Sequence, residues 1–156
     1  MTVTYRRATP DDVDVLVDYR LKFLADYAGA ERAPDEERVA KKLRAYFREA
    51  VPRGDFVAWL AERDGEVVAT SGMVVWQIPP NNSVPTGRQG YVLNMYTVPE
   101  ARRRGICAAL LEKMIEEARA LGLSRVHLHA TREGEAIYRR RGFVEPGDAE
   151  LLLRLD

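Results

Sequence analysis

The sequence predicts one α/β domain over residues 1–156 built on a mixed sheet, an antiparallel meander followed by a strand–helix–strand crossover that leaves two strands parallel. Three observations predict it. Helical spacing gives way to strand-length apolar runs after Gly54, the order after Pro99 becomes loop, helix, strand, helix, strand, and no repeat or low-complexity linker divides the chain.

Val3 to Arg7 alternates as a strand and ends at Thr9-Pro10-Asp11-Asp12. In that quartet Thr9 is a cap, Pro10 suits the first helical position and Asp12 completes a capping box. Val13, Leu16, Val17, Leu21 and Leu24 then recur at helical spacing until Gly29 interrupts. Pro34-Asp35-Glu36-Glu37 opens a second helix, its acids facing the positive end of the helix dipole. Val39, Leu43, Tyr46, Phe47 and Ala50 share its inner face, and Pro52 with Gly54 stops it. Phe56 to Glu62 is a strand, Asp64-Gly65 a tight turn, Val67 to Gln77 the partner strand and Tyr91 to Thr97 a third. The proline-rich stretch from Ile78 to Arg88 is a long loop, expected to form a lid or a substrate edge. Gly105 to Leu121 is the strongest helix, terminated by Gly122. Arg125 to Ala130 is a strand, Glu135 to Arg141 a short helix, and Phe143-Val144 with Glu150 to Leu155 a closing pair of strands.

Composition narrows the function. Lys plus Arg and Asp plus Glu number 24 each, so the formal net charge is zero, which disfavours a nucleic-acid partner. A hydrophobic content of 46% disfavours disorder. The single Cys excludes an internal disulfide and a paired-cysteine zinc site, and fits the reducing cytoplasm. The N-terminal residues lack the apolar run of a signal peptide, and no stretch has the length to span a bilayer, so no membrane partner is expected.

The informative segment runs from Thr97 to Leu110. A strand ends, a basic turn follows and a helix begins on the small residues Cys107, Ala108 and Ala109. Unpaired amides and positive potential at a helix start favour a phosphate or diphosphate, and Gly105 lets the backbone approach it closely. Neither a Walker signature nor a GxGxxG fingerprint is present. Taken on spacing alone, the same segment is also compatible with a plain basic loop joined to a helix.

Arg102-x-x-Gly105-x-Cys107 resembles the Arg/Gln-x-x-Gly-x-Gly/Ala motif of the GNAT superfamily of N-acetyltransferases. Pro99-Glu100, Ala109-Leu110-Leu111, Ala136-Ile137-Tyr138-x-x-x-Gly142-Phe143 and the capped Thr9 start extend the likeness over nearly the whole chain. Cys107 is the departure, standing where the family usually has Gly or Ala. The resemblance implies a GNAT-like acyl-CoA N-acyltransferase fold with a central splayed parallel pair. It implies acetyl-CoA as acyl donor, direct attack by a primary amine of a small molecule or peptide, and, by analogy, a homodimer; no metal is expected, because the only candidate pair, His127 and His129, lacks a third ligand. The diphosphate is expected on the amides of Arg103, Arg104, Gly105, Ile106, Cys107 and Ala108, with Arg102 at the motif's first position. The pantetheine arm is expected along the backbone of Met95, Tyr96 and Thr97, as an extended amide pairs with a strand edge.

By the same resemblance Tyr138 is the general acid to the departing thiolate, a role a phenol near pKa ~10 suits. The general base stays open among Asn94, His129, Glu133, Glu135 and an acceptor that arrives neutral. Asn94 and His129 are the expected acceptor-side residues. Cys107 is either a small buried hydrophobe or a thiol activated at a helix start. His127 and His129 share a face if their strand is regular, without a third metal ligand. Arg139-Arg140-Arg141 is either a solvated helix end or a contact for an outer phosphate. Trp59 and Trp76 are expected in core or dimer contacts. Tyr19, Phe23, Tyr27 and Tyr46 either shape the acceptor pocket or pack. The competing functions are a protein N-terminal or lysine acetyltransferase and a non-catalytic CoA-binding module.

Overall fold

A computed structural model describes residues 2–28 and 35–156. Its elements in order are β1 (Val3–Arg7), α1 (Val13–Ala28), α2 (Glu36–Arg53), β2 (Phe56–Arg63), β3 (Glu66–Gln77), β4 (Arg88–Thr97), α3 (Ile106–Ala120), β5 (Arg125–His127) and α4 (Glu135–Arg140). Short 3-10 turns at Pro10–Asp12 and Pro99–Ala101 lead toward α1 and α3. The sheet order is β1-β2-β3-β4-β5, antiparallel through β4 and parallel between β4 and β5. The expected meander and crossover are therefore both present. Gly29 and Pro34, expected to interrupt one helix and open the next, lie outside the described residues.

The period-2 alternation of β2 divides the core between two helical layers. Phe56, Ala58 and Leu60 pack with Val13, Leu16 and Val17 of α1 and Phe47 and Ala50 of α2. On the other face Ala61, Val68, Ala69 and Met73 pack with Ile106, Leu110 and Met114 of α3. Tyr46 is 42% exposed, so the inner face of α2 is narrower than its sequence spacing predicts. The α2 helix also runs through Pro52 and closes at Gly54, whose φ of 76° is the left-handed terminator.

The capping box forms as expected. Asp12 accepts the Thr9 amide at 2.7 Å, and its two oxygens each accept from Arg6 at 2.8 Å. These bonds hold the Asp12 carboxyl below its ordinary value, the Arg6 contacts contributing most. Replacing Asp12 by Ala removes a cap and a charge-assisted pair, so unfolding in urea at pH 7 should show a loss of about 2 kcal/mol. A carboxyl depressed on folding contributes stability above its unfolded pKa, near 3.8, and loses it as pH falls through the lower folded value. The gap between wild type and Asp12→Ala should therefore narrow at pH 3.

Two features differ from expectation. The closing strands at Phe143-Val144 and Glu150 to Leu155 do not form; Val144 is 81% exposed and Leu151, Leu152, Leu153 and Leu155 are 80–91% exposed. Three consecutive leucines break the alternation that gives a strand one buried face, and β5 presents an edge of only three residues. Among the described residues no strand pairs beyond β5, so the parallel pair ends the sheet rather than occupying its middle. β5 itself stops at His127, short of Ala130, because β4 bends away. Asn94 sits in that bend with φ of 57°, a left-handed conformation that Asn tolerates better than most residues, and the register to β3 slips between Thr70 and Gly72. The slip switches the side-chain alternation, so Val92 before it and Met95 after it both face α3.

The loop from Ile78 to Gly87 is tied to the sheet and to Ser124. Val84 is fully buried, the Ile78 amide donates to the Gly87 carbonyl at 2.7 Å, and the Thr86 hydroxyl lies 2.6 Å from that of Ser124. It sits at the opposite end of β4 from the basic turn.

Candidate active site

The end of β4 and the start of α3 form the basic turn. Arg103 and Gly105 both take left-handed φ, 60° and 77°, which turns the chain sharply into the helix. A Cβ at Gly105 would meet nothing within 4 Å, so its glycine answers a backbone demand and not a spatial one. The first helical bond runs from the Ala109 amide to the Gly105 carbonyl at 3.0 Å. The amides of Ile106, Cys107 and Ala108 belong to the first turn, which has no preceding turn to satisfy them. They border a pocket of about 270 Å³ lined by Thr97, Ala101, Arg102, Arg103, Gly105, Ile106, Cys107, Ala108, Ile137 and Arg140. Among the described residues, backbone donors and arginines line it and no carboxylate does, a donor set that fits a diphosphate. Arg104 is exposed and lies outside that lining.

The Arg102 side chain is held by the protein. Its Nε donates to the Thr97 carbonyl at 2.9 Å, Nη2 contacts Asp26 at 2.8 Å and the guanidinium lies over Tyr96. It ties the turn to β4 and α1, so its contribution to the pocket is to fix the loop's shape. Met95, Tyr96 and Thr97 follow the bend. Pairing between β4 and β5 covers only Gln89 to Tyr91, which leaves the β5-facing backbone of β4 beyond Tyr91 without a strand partner. That edge is open to an extended amide ligand.

Tyr138 is buried on α4. Its ring packs edge-on to Phe143 at 5.9 Å and lies against Gly134, where an added Cβ would come within 3.3 Å of it. Burial pushes its hydroxyl up to about 12, with the nearby Cys107 thiol adding to the effect. Burial also pushes the Cys107 thiol up, the opposite of activation, so Cys107 behaves as a small apolar residue of the first turn. On the neighbouring basic run, Arg139 pairs with Glu135 and Glu145, and Arg141 with Glu112. Arg140 instead borders the pocket at the turn. Tyr138 faces a wider cleft of about 1010 Å³ between α3, β5, α4 and the C-terminal residues.

The other side of the β4–β5 split carries an aromatic and polar group. The Tyr91 hydroxyl lies 2.5 Å from His129 Nδ1, and His129 Nε2 lies 3.0 Å from Glu150. The ring of His127 lies 4.9 Å from that of Trp76 and 5.7 Å from that of Tyr91, and burial lowers the His127 pKa. Trp76 thus packs against this group, whereas Trp59 packs on α3 and donates to Glu117 at 3.1 Å. Tyr19 is buried and stacks edge-on to Tyr96, a packing role. Asn94 is buried, its carbonyl accepting from Thr70 at 3.0 Å and its side-chain oxygen from Arg20 at 2.7 Å. Glu135 is engaged by Arg139, and Glu133 is exposed.

Sequence reasoning left Arg140 open as a phosphate contact within its run of three, gave Ile137 no role beyond the motif, and missed Tyr91 and Arg20 beside the bend. One signal was available. Leu16, Arg20 and Leu24 recur at intervals of four, so Arg20 interrupts an apolar stripe, where a charge needs a reason.

Comparison with known proteins bears on the same residues. A model described as Acetyltransferase (GNAT) family matches residues 20–143. An uncharacterized N-acetyltransferase of Methanocaldococcus jannaschii is 30% identical over 149 residues, covering 92% of this chain and 62% of that protein. The chloroplastic GCN5-related N-acetyltransferase 6 of Arabidopsis thaliana is 33% identical over 76 residues, 46% of this chain and 26% of that protein. The matched regions thus span less than two thirds of either curated relative. Among solved structures, a predicted acetyltransferase with acetyl-CoA from Clostridium acetobutylicum superposes with a TM-score of 0.87 at 30% identity, covering 97% of this chain and 96% of the other. A GCN5-related N-acetyltransferase from Ralstonia eutropha JMP134 gives 0.85 at 25% identity, with 97% and 99% covered. The basic turn with its open helix start, the bent strand beside it and the match from residue 20 to 143 all lead to one assignment: this chain belongs to the GNAT family of acetyltransferases.

Proposed function

We propose that this chain transfers the acetyl group of acetyl-CoA to a primary amine, in the cytoplasm and through a ternary complex. The observation that carries the reading is the pocket of about 270 Å³ at the first turn of α3, bordered by Arg103 and Arg140 and by no carboxylate among the described residues. The amides of Gly105 to Ala108 hold the diphosphate, and the open edge of β4 from Met95 to Thr97 aligns the pantetheine arm. The thioester supplies an activated acetyl carbonyl.

The acceptor nitrogen forms its bond to that carbonyl carbon as the bond from carbon to sulfur breaks. Backbone amides at the bend of β4 stabilise the oxyanion. Tyr138 gives its proton to the sulfur that leaves. A hydroxyl pushed up to about 12 by burial stays protonated across the working range, and the same dry surroundings raise the proton affinity of the thiolate. On the acceptor side, Tyr91 takes the proton shed by nitrogen and passes its own to His129 Nδ1, 2.5 Å away, while Glu150 offsets the charge on the imidazole.

The deciding experiment is a panel of primary amines incubated with the chain and acetyl-CoA, read as thiol release, with lysine-containing and free-N-terminal peptides included. Thiol release that depends on a particular amine is the expected result. Binding of CoA without release for any amine would make the chain a non-catalytic CoA-binding module.

A further inference from the structure

Arg20 is a cation without a counter-ion among the described residues. It projects from α1 to the bend in β4, where its Nη1 donates to the neutral side chain of Asn94 at 2.7 Å. Its guanidinium lies over the Phe23 ring, 5.4 Å from the centroid. The titratable groups felt at this position are the phenols of Tyr91 and Tyr46, and burial lowers the guanidinium's pKa. The acids of α1 are engaged elsewhere: Asp14 with Arg44, Asp18 with Lys22 and Asp26 with Arg102. Arg6, Arg7, Arg53, Arg139 and Arg141 likewise contact carboxylates. A partly buried arginine that meets, among the described residues, only an amide and aromatic rings carries an unbalanced desolvation cost, which an anion arriving with a ligand would offset.

Its location identifies the ligand. Asn94 immediately precedes Met95, Tyr96 and Thr97, the edge assigned above to the acyl donor, and Tyr91 lies three residues earlier on the same bent strand. An anion beside Arg20 is therefore on the acceptor side of the split. Nη1 is engaged, which leaves the Nε and Nη2 edge of the fork, the geometry suited to two parallel bonds to a planar carboxylate.

We propose that the acceptor is an amine that also carries a carboxylate, recognised by Arg20. This deepens the transferase reading and rests on it.

The test compares matched acceptors by thiol release from acetyl-CoA: free amino acids, their primary amides, and aminoalkylphosphonates of the same skeleton. Free amino acids should exceed their amides by roughly 100-fold in kcat/KM, with most of the difference in KM. Arg20→Gln should bring that ratio near one while leaving the Kd for acetyl-CoA unchanged, and Arg20→Lys should restore part of it. Asn94→Asp tests the same point with Arg20 in place, because a carboxylate 2.7 Å from the guanidinium would occupy it internally; it too should abolish the preference. Amides turned over as well as free acids by the wild type, or a preference untouched in both variants, would overturn the inference. Faster turnover of phosphonates would overturn its assignment to a carboxylate. If no amine of any kind releases thiol, the transferase reading itself fails, and this inference with it.

Discussion

Tyr138→Phe should lower kcat by about 100-fold to 10,000-fold with acetyl-CoA affinity and melting temperature nearly unchanged. The loss is confined to chemistry because the hydroxyl makes no hydrogen bond among the described residues, while the ring keeps its edge-on contact with Phe143 and its seat against Gly134. Removing one oxygen therefore leaves no orphaned partner and no cavity. In the proposed mechanism only the proton for the departing sulfur is lost, and thiol release under saturating substrates measures it. The pH profile supplies an independent check. An acid must be protonated to act, and burial pushes this hydroxyl up to about 12. Wild-type kcat should thus show no decline assignable to Tyr138 between pH 7 and 10. Wild-type turnover in the phenylalanine variant would reject the acid role, and a lower melting temperature with normal turnover would make Tyr138 a packing residue.

Gly105→Asp should weaken acetyl-CoA binding by roughly 100-fold or more, read by calorimetry on protein whose circular dichroism is unchanged. Two effects combine. The residue must hold φ of 77°, and a side chain in that region costs about 1–2 kcal/mol, less for Asp than for most residues. In the proposed binding mode the carboxylate then stands beside the amides and arginines of the turn and repels the incoming diphosphate. Gly105→Ala separates the two. It carries the strain without the charge, and because nothing lies within 4 Å of the added Cβ, its effect on affinity should be no more than tenfold. Equal losses in both variants would place the effect in the backbone, whereas a much larger loss in the aspartate variant locates the phosphate at this turn.

The basic turn is legible in the sequence because its signals are local. Strand end, arginine run, Gly105 and small residues at a helix start all lie within fourteen consecutive residues, Thr97 to Leu110. The capping box at Thr9 and Asp12 is equally readable, since its donors and acceptors are three residues apart. The C-terminal strands do not form because the leucine run lacks a single buried face and β5 offers an edge of only three residues, a length the sequence does not reveal. Tyr91 and His129 are 38 residues apart and Arg20 and Asn94 are 74 apart, so no periodicity links either pair.

The order of residues alone was sufficient for what neighbours along the chain can decide: helix starts and stops, the alternation of the meander, the basic turn into α3 and, through its motifs, the family. Three-dimensional packing decided where β4 bends, that Arg102 braces the turn, that Arg140 and not its two neighbours faces the pocket, and that Arg20 meets an amide instead of an acid. The reason is physical. Caps, turns and amphipathic periods are short-range interactions fixed within one or two helical turns, whereas charge pairing and strand splay depend on which distant surfaces the folded sheet brings together.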